Sequence, residues 1–181
     1  MVGMTIIYIP VTPAMLSEAQ RKSDELGELK NSIEHGGGNL RGFLGELAVN
    51  TIFGADMANT YEYDLYLDGV KLEVKSKGCS SIPYPDYEAS LANYNTKQAC
   101  DWYLFTRVLY DNSMVFFCGM ATKADYMKNS RFMKKGDIDP TNGYKVKADC
   151  WNIAYDNLGI PVEIITKARN MGLQLWLKDE A

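Results

Sequence analysis

Histidine is almost absent from this sequence, since His35 is the only one among 181 residues. It stands in the tract His35-Gly-Gly-Gly38, which reads as a glycine hinge between two helical segments. A serine–histidine mechanism or a histidine-rich metal site would depend on this one residue. The sequence therefore argues against both kinds of chemistry.

Paired cysteines and long apolar runs are missing as well. Cys79, Cys100, Cys118 and Cys150 are isolated from one another, without the spacing of a zinc site or redox motif, so we expect reduced thiols. The apolar run at 114–118 is far shorter than the roughly 20 residues that cross a bilayer, and we expect no membrane partner. The first ten residues lack the basic flank and cleavage site of a secretory signal, which predicts a cytoplasmic protein.

An overall excess of positive charge is also missing, because 23 Asp and Glu outnumber 19 Lys and Arg and give a net charge of −4. This balance argues against a protein that coats nucleic acid by bulk electrostatics. The charges are unevenly distributed, however. Residues 1–70 carry 4 Lys or Arg against 10 Asp or Glu, whereas residues 71–147 carry 12 against 8. The middle of the chain is therefore where a polyanion could bind.

Hydrophobic periodicity predicts one α/β domain spanning residues 1–181. We expect its core over about 38–120. The central mixed sheet should have about four or five strands, with helices on its faces. The N-terminal helix at 13–34 and the C-terminal part at 121–181 would be elaborations of that core. The first predicted elements are a strand at 5–9 and helices at 13–34 and 39–53. A loop at 80–95 leads into a short helix near 91–99, which is followed by strands at 102–110 and 114–120 and a helix at 124–132. Edge strands are predicted at 144–147 and 162–165, with a last helix or extended tail from 167.

The strongest local signal is a β-hairpin over residues 63–75. Apolar and polar residues alternate on both sides of Asp68-Gly69, the dipeptide most typical of a two-residue turn. This register would place Asp64 directly opposite Glu73, with Lys75 on the same face. The other face would be the buried one, formed by Tyr63, Leu65, Leu67, Val70, Leu72 and Val74.

Two opposed carboxylates repel each other and favour a positive charge between them. Mg²⁺ suits such a place, because it is bound by one or two carboxylates together with water and substrate phosphate oxygens. An upstream helix adds Glu46 beside Gly42 and Gly45, whose lack of a side chain suggests a close approach of that helix to another element.

Asp64, Glu73-Val-Lys75 and the helix with Glu46 in Gly42-Phe-Leu-Gly-Glu46 closely resemble the core of the PD-(D/E)XK nuclease superfamily. The resemblance covers roughly residues 38–120 and implies a restriction endonuclease-like α/β fold. Tyr63 replaces the proline of the family name. Tyr94-x-x-x-Gln98 reverses the order of a Q-x-x-x-Y motif that some exonuclease branches carry.

The resemblance implies roles for several residues. Asp64 and Glu73 would hold the metal ion with the backbone carbonyl of Val74, and Glu46 would bind a second metal ion or a water. Lys75 would orient the attacking water and help to deprotonate it. The metal would be Mg²⁺, with Mn²⁺ as a substitute. Ser76, Lys77, Lys97 and Gln98 are candidates for contacts with the substrate.

The expected function is therefore metal-dependent hydrolysis of phosphodiester bonds, most simply of DNA, by an endonuclease or exonuclease. Cutting both strands of a duplex with one active site per chain would favour a homodimer. A basic patch is predicted at Lys123, Lys128, Arg131, Lys134 and Lys135. Two alternatives remain open: a nucleic-acid-binding protein of the same fold that does not cut, and a different α/β protein whose hairpin carries only surface ion pairs.

Overall fold

The structure is a computed structural model that describes residues 4–27, 37–58 and 60–178. His35 and the part of the predicted first helix beyond residue 27 lie outside the described residues. The strands are β1 (Thr5–Pro10), β2 (Asp56–Met57), β3 (Leu65–Leu67), β4 (Val70–Cys79), β5 (Glu88–Ala92), β6 (Trp102–Leu109), β7 (Met114–Thr122), β8 (Arg131–Met133), β9 (Cys150–Ala154) and β10 (Gln174–Leu177). The helices are α1 (Pro13–Leu26), α2 (Gly37–Phe53), α3 (Lys123–Asn129) and α4 (Val162–Asn170), with 3-10 helices at Asn93–Lys97 and Tyr155–Asn157.

The prediction of an α/β fold with a mixed sheet is confirmed, but the strand count was too low. The main sheet has seven strands in the order β10-β1-β7-β6-β4-β3-β2, and a second sheet has three in the order β5-β9-β8. Strands β4 and β6 pair in parallel, whereas the other pairs in the main sheet are antiparallel. Because β1 and β10 belong to the main sheet, that sheet extends beyond residues 38–120.

Two buried clusters cover the two faces of the main sheet. On one face, helices α1, α2 and α4 pack through Ala19, Leu44 and Ile165. On the other face, α3 and the second sheet pack through Tyr126 and Ile153. The main sheet is therefore buried on both sides, and alternate residues of its central strands enter different clusters.

Helix boundaries follow local signals at some positions and depart from prediction at others. Thr12 caps α1 by accepting a hydrogen bond from the amide of Met15 at 3.2 Å, with Pro13 at the first helical position. Gly54 ends α2 with a φ of 65°. The predicted helix at 39–53 starts two residues too late, because α2 already begins at Gly37.

Several other element assignments were wrong. Strand β5 lies within the predicted loop at 80–95, and β8 begins within the predicted helix at 124–132. Residues predicted as a short helix near 91–99 form the end of β5 and a 3-10 helix, and residues predicted as an edge strand at 162–165 begin α4. The expected edge strand at 144–147 contains only a bridge between Ile138 and Lys145. The expectation of reduced cysteines is confirmed, since all four lie in the described ranges and are free thiols. No helix in those ranges is both long and apolar enough to cross a membrane.

Candidate active site

The turn between β3 and β4 forms as the sequence predicts. Leu67 pairs with Val70 and Leu65 with Leu72, so the loop consists of Asp68 and Gly69 alone. Both loop residues have positive φ angles, 48° and 89°, which is the requirement of a type I′ turn. The predicted register of the hairpin is confirmed over these pairs.

The direct opposition of Asp64 and Glu73 is not formed, and this corrects the sequence-based geometry. The ladder ends at Leu65, and the amide of Asp64 donates to the carbonyl of Leu72 at 3.0 Å. The carboxylate of Asp64 instead accepts a hydrogen bond from the amide of Val74 at 2.8 Å. The amide of Val74 therefore donates to a side-chain oxygen, whereas in a continued strand it would donate to a backbone carbonyl.

The carboxylate-bearing face of β4 is also more buried than the sequence suggests. Glu73 is only 4% exposed and pairs in register with Tyr103 of β6. Tyr63, predicted to lie on the apolar face with Leu72, packs instead against the cluster that contains Tyr103. Both faces of the hairpin base are thus covered, because Gln98 and the Tyr103 ring, which contacts Tyr126 of α3, lie on the side that the sequence left open.

Glu73 is held by two neighbours through one of its oxygens. Its Oε1 accepts a hydrogen bond from Lys75 Nζ at 2.6 Å and one from Gln98 Nε2 at 2.9 Å. Lys75 Nζ also donates to Gln98 Oε1 at 3.0 Å. Gln98 Nε2 further donates to the carbonyl of Tyr61 at 2.7 Å. Glu73 Oε2 is buried and has no hydrogen-bond partner within the described ranges.

Helix α2 brings Glu46 to the same place by a close approach to β4. A Cβ atom on Gly45 would lie 2.0 Å from Ser76 Oγ, so only glycine allows the helix to pack at this distance. Ser76 Oγ is itself hydrogen-bonded to Thr106 Oγ1 at 2.7 Å. Gly45 therefore has the role expected from the sequence. Gly42 does not, because nothing lies within 4 Å of the corresponding Cβ position.

The electrostatics of the three acidic side chains show that they lie near one another. Burial, followed by the charge of Glu73, raises the pKa of Asp64 above its ordinary value. Burial, followed by the charge of Asp64, raises the pKa of Glu46. The positive charge of Lys22 on α1 partly opposes this rise of the Glu46 pKa. A lysine from a distant part of the sequence therefore acts on the site.

This arrangement fits a divalent cation held by few protein ligands. The raised pKa values of Asp64 and Glu46, and the buried Glu73 oxygen that has no hydrogen-bond partner among the described residues, mark a place where positive charge is favoured. Across residues 4–27, 37–58 and 60–178, no three Asp, Glu, His or Cys side chains converge as a complete metal-ligand group. Asp64 and Glu73, with the Val74 carbonyl, would therefore need water and substrate oxygens to complete the octahedral shell that Mg²⁺ prefers.

The four predicted substrate contacts have different surroundings. Lys77 lies on the same face of β4 as Lys75, and its Nζ donates to Ser90 Oγ of β5 at 3.1 Å. Ser76 points to the opposite face, towards α2. Lys97 is exposed at the end of a 3-10 helix, and Gln98 is buried against Glu73 and Lys75. Lys77 is exposed as a whole residue, but partial desolvation beside the second sheet, together with the charge of Arg107, lowers its pKa to about 8.

Two residues of the predicted basic patch are used in internal contacts. Lys123 donates to the carbonyl of Gln98, close to the candidate site. Arg131 forms ion pairs with Glu88 and Asp139 at 3.0 and 3.3 Å. Its charge is therefore largely balanced within the protein. Lys128 lies in the last turn of α3, and Lys134 and Lys135 follow β8.

Sequence reasoning missed the contribution of Lys22 and the exact place of Gln98. Lys22 reaches the site through the packing of α1 beside α2, and no local motif indicates that packing. For Gln98 the sequence does contain a signal, the reversed motif Tyr94-x-x-x-Gln98. Its contacts with both Glu73 and Lys75 depend on how the 3-10 helix returns to β4.

No protein-family model matches this chain. No curated protein matches it either. The function must therefore be argued from the residues of the site.

Proposed function

We propose that this protein is a Mg²⁺-dependent nuclease that hydrolyses phosphodiester bonds, with DNA as its substrate, and that it is a divergent PD-(D/E)XK enzyme of restriction endonuclease-like fold. The observation that carries the proposal is the surroundings of Glu73. One oxygen is bound by Lys75 and Gln98, and the other is buried without a partner among the described residues, next to the carboxyl of Asp64.

The residues of the chain supply the parts that phosphodiester hydrolysis needs. A bound Mg²⁺ would relieve charge on the phosphoryl oxygens and lower the pKa of a water molecule. Asp64 and Glu73, with the Val74 carbonyl, would hold the ion. Lys75 keeps an ammonium group beside Glu73, where it would orient the attacking water and balance developing negative charge. Glu46, with its raised pKa, would hold a water or a second ion.

The order of elements supports the proposal over most of the motif region. Helix α2 with Glu46 precedes the hairpin with Asp64 and Glu73, and β6 and β7 follow it. The chain departs from the superfamily pattern between β4 and β6, where β5 and a 3-10 helix stand in place of an α-helix. Gln98, which ends this segment, takes over the contact with the catalytic strand.

A second candidate function is nucleic-acid binding without cleavage. The 2.6 Å ion pair between Lys75 and Glu73 favours it, because a lysine neutralises a carboxylate that a metal ion would otherwise need. Both candidate functions include nucleic-acid binding, but only the first includes cleavage. Binding and cleavage measurements on the same substrates therefore separate them.

The test is cleavage of labelled linear, circular, branched and single-stranded DNA and matched RNA, with Mg²⁺ or with EDTA. The comparison is between the wild type, Lys75→Ala and the matched control Lys71→Ala, whose ammonium lies over the ring of Tyr63. We expect Mg²⁺-dependent cleavage that falls at least about 100-fold in Lys75→Ala and persists in Lys71→Ala. Cleavage that survives in Lys75→Ala, or that needs no divalent ion, overturns the proposal; binding without any cleavage selects the second candidate.

A further inference from the structure

A cavity of about 530 Å³ lies on the face of the main sheet that is opposite α2. Aromatic and apolar side chains make up most of its wall, and the segment at 80–85 closes one side. Its lining includes Tyr8, Ser80, Tyr84, Leu109, Phe116 and Trp176. Tyr84 is 62% exposed, so one wall of the cavity is an aromatic ring that solvent and ligands can reach.

The sheet register connects this cavity to the strand that carries the candidate active site. Lys77 of β4 pairs with Arg107 of β6, and Arg107 pairs with Phe116 of β7. Phe116 in turn pairs with Tyr8 of β1. Paired residues lie side by side on one face of a sheet, so these four form a row from two cations to two aromatic rings. Lys75 lies two residues before Lys77, roughly 7 Å along the same face.

Ring contacts continue the row towards the outer wall of the cavity. The Arg107 guanidinium lies 5.7 Å from the centre of the Tyr87 ring. The rings of Tyr87 and Tyr84 meet edge to face, with their centres 5.5 Å apart. Arg107 is fixed in this position, because it donates to the Tyr155 hydroxyl at 2.7 Å and to the Glu88 carbonyl at 3.1 Å.

The positive charge of the row is only partly balanced, because Glu88 and Asp139, the acidic groups that act on Lys77, are both ion-paired with Arg131. The carboxylate of Glu88 is bound by Arg131 at 3.0 Å. Lys77 contacts the hydroxyl of Ser90, and within the described ranges it forms no ion pair with a carboxylate. Lys75, Lys77, Ser90 and Tyr155 line a narrow cleft between the two sheets. Two cationic side chains therefore lie between the candidate active site and the aromatic cavity.

We propose that this row, from Lys77 through Arg107 to the cavity walled by Tyr84 and Trp176, binds single-stranded nucleic acid. The inference rests on the proposed function, because the strand is taken to continue towards Lys75. Phosphates would contact Lys77, and an unpaired base would enter the cavity and stack on its aromatic walls. Proteins that bind single strands without sequence preference combine these two features, a cationic track and rings on which bases stack. A duplex keeps its bases stacked on one another and cannot offer one to the cavity. The substrate of the nuclease would therefore be a single strand or a duplex with a single-stranded end.

Fluorescence anisotropy of labelled oligonucleotides in EDTA tests this inference without depending on cleavage. We titrate the wild type, Tyr84→Ala, Lys77→Gln and a control with a single strand and with the matching duplex. The control is Tyr144→Ala, which removes a 52% exposed tyrosine outside the cavity. We expect Tyr84→Ala to weaken single-strand binding about tenfold, the range of one lost base-stacking contact. Tyr144→Ala should bind as the wild type does.

Salt dependence tests the contact of Lys77 with phosphate. Loss of one phosphate contact makes the slope of log K against log salt shallower by about 0.7 for single strands. We expect that change in Lys77→Gln and the wild-type slope in Tyr144→Ala. Circular dichroism of each variant shows that the fold is retained.

The outcomes separate this inference from the proposed function. Equal affinity for duplex and single strand, or equal binding by Tyr84→Ala and Tyr144→Ala, overturns the inference, even if Mg²⁺-dependent cleavage of duplex DNA is found. Occupation of the cavity by a proline-rich peptide, with no effect of Tyr84→Ala on oligonucleotide binding, also overturns it. Single-strand binding that depends on Tyr84 supports the inference, even if no variant cleaves and the proposed nuclease activity fails.

Discussion

Gly45 and Ser76 lie so close together that a methyl group on the glycine would come within 2.0 Å of the serine hydroxyl. This contact sets the distance between α2 and β4, and with it the distance from Glu46 to the carboxyl of Asp64. Gly45→Ala should therefore destabilise the protein by about 1–3 kcal/mol, the usual cost of overpacking a core. It should also reduce cleavage, because Glu46 moves with the helix.

Gly42→Ala is the matched control for this prediction. The same helix carries Gly42, but its Cβ position has open space, so alanine should be neutral or should stabilise α2 by up to about 1 kcal/mol through helix propensity. Urea unfolding of both variants measures the difference. Equal stability of the two variants would contradict the assigned role of Gly45.

The raised pKa values of Asp64 and Glu46 predict how stability depends on pH without metal. The folded state binds these protons more tightly than the unfolded state, so stability is lost as the pH rises from the ordinary carboxyl pKa through the raised folded values. Glu46→Gln removes the part of this loss that comes from Glu46 and leaves the part that comes from Asp64. We expect the variant to be more stable than the wild type at pH 8 by at least about 1 kcal/mol, the free energy of roughly one pKa unit, and to gain much less at pH 4.

Glu25→Gln serves as the control for the pH measurement, because Glu25 is a largely exposed carboxylate in an ion pair with Arg21 on α1. Urea unfolding in EDTA at several pH values gives the free energy of unfolding for each variant. A wild type whose stability rises between pH 4 and pH 8 by as much as that of Glu46→Gln would show that folding does not raise the pKa of Glu46.

A bound divalent ion should offset the repulsion between the acidic side chains of the candidate site. Mg²⁺ that binds the folded state should raise Tm by an amount that grows with its concentration, since a ligand at 100 times its Kd adds about 2.7 kcal/mol. Asp64→Asn removes a proposed ligand and should abolish most of this shift while stabilising the protein in EDTA. Thermal unfolding with 0 to 20 mM Mg²⁺, a range on the order of typical assays, checks both expectations. A shift that is the same in wild type and Asp64→Asn would place the ion elsewhere.

Gln98 should be a positioning residue for the pair of Glu73 and Lys75. Gln98→Ala leaves the buried carboxylate of Glu73 with one hydrogen bond fewer, so we expect a loss of about 1–3 kcal/mol in stability. Lys75 also loses its second acceptor. Cleavage should fall through kcat rather than KM, because the reacting groups lose their orientation while the substrate contacts remain.

Gln174→Ala is the control for Gln98, since Gln174 is exposed on β10. A Gln98→Glu variant distinguishes position from charge. The added carboxylate accepts from Lys75 but repels Glu73, so we expect lower stability at pH 8 than at pH 5. Wild-type kcat in Gln98→Ala would remove the positioning role.

The sequence determined the elements whose signals are local. The Asp68-Gly69 turn forms because both residues accept positive φ, and it fixes the pairing of Leu67 with Val70. The strands at Trp102–Leu109 and Met114–Thr122 follow their apolar and β-branched runs. Gly45 was recognised because a glycine inside a helix is costly unless space requires it.

The tertiary structure decided what depends on distant partners. Residues 162–165 have the β-branched composition of a strand, yet they begin α4 because Ile165 and Ala168, three residues apart, both reach the core as one helical face. Asp64 leaves the ladder because its side chain binds the amide of Val74, which no alternation of residue types reveals. Glu73 is buried, and the segment that follows the 3-10 helix returns to it and supplies Gln98. Local sequence patterns therefore indicate which residues form the site. Packing between segments far apart in sequence sets the geometry and charge state of those residues.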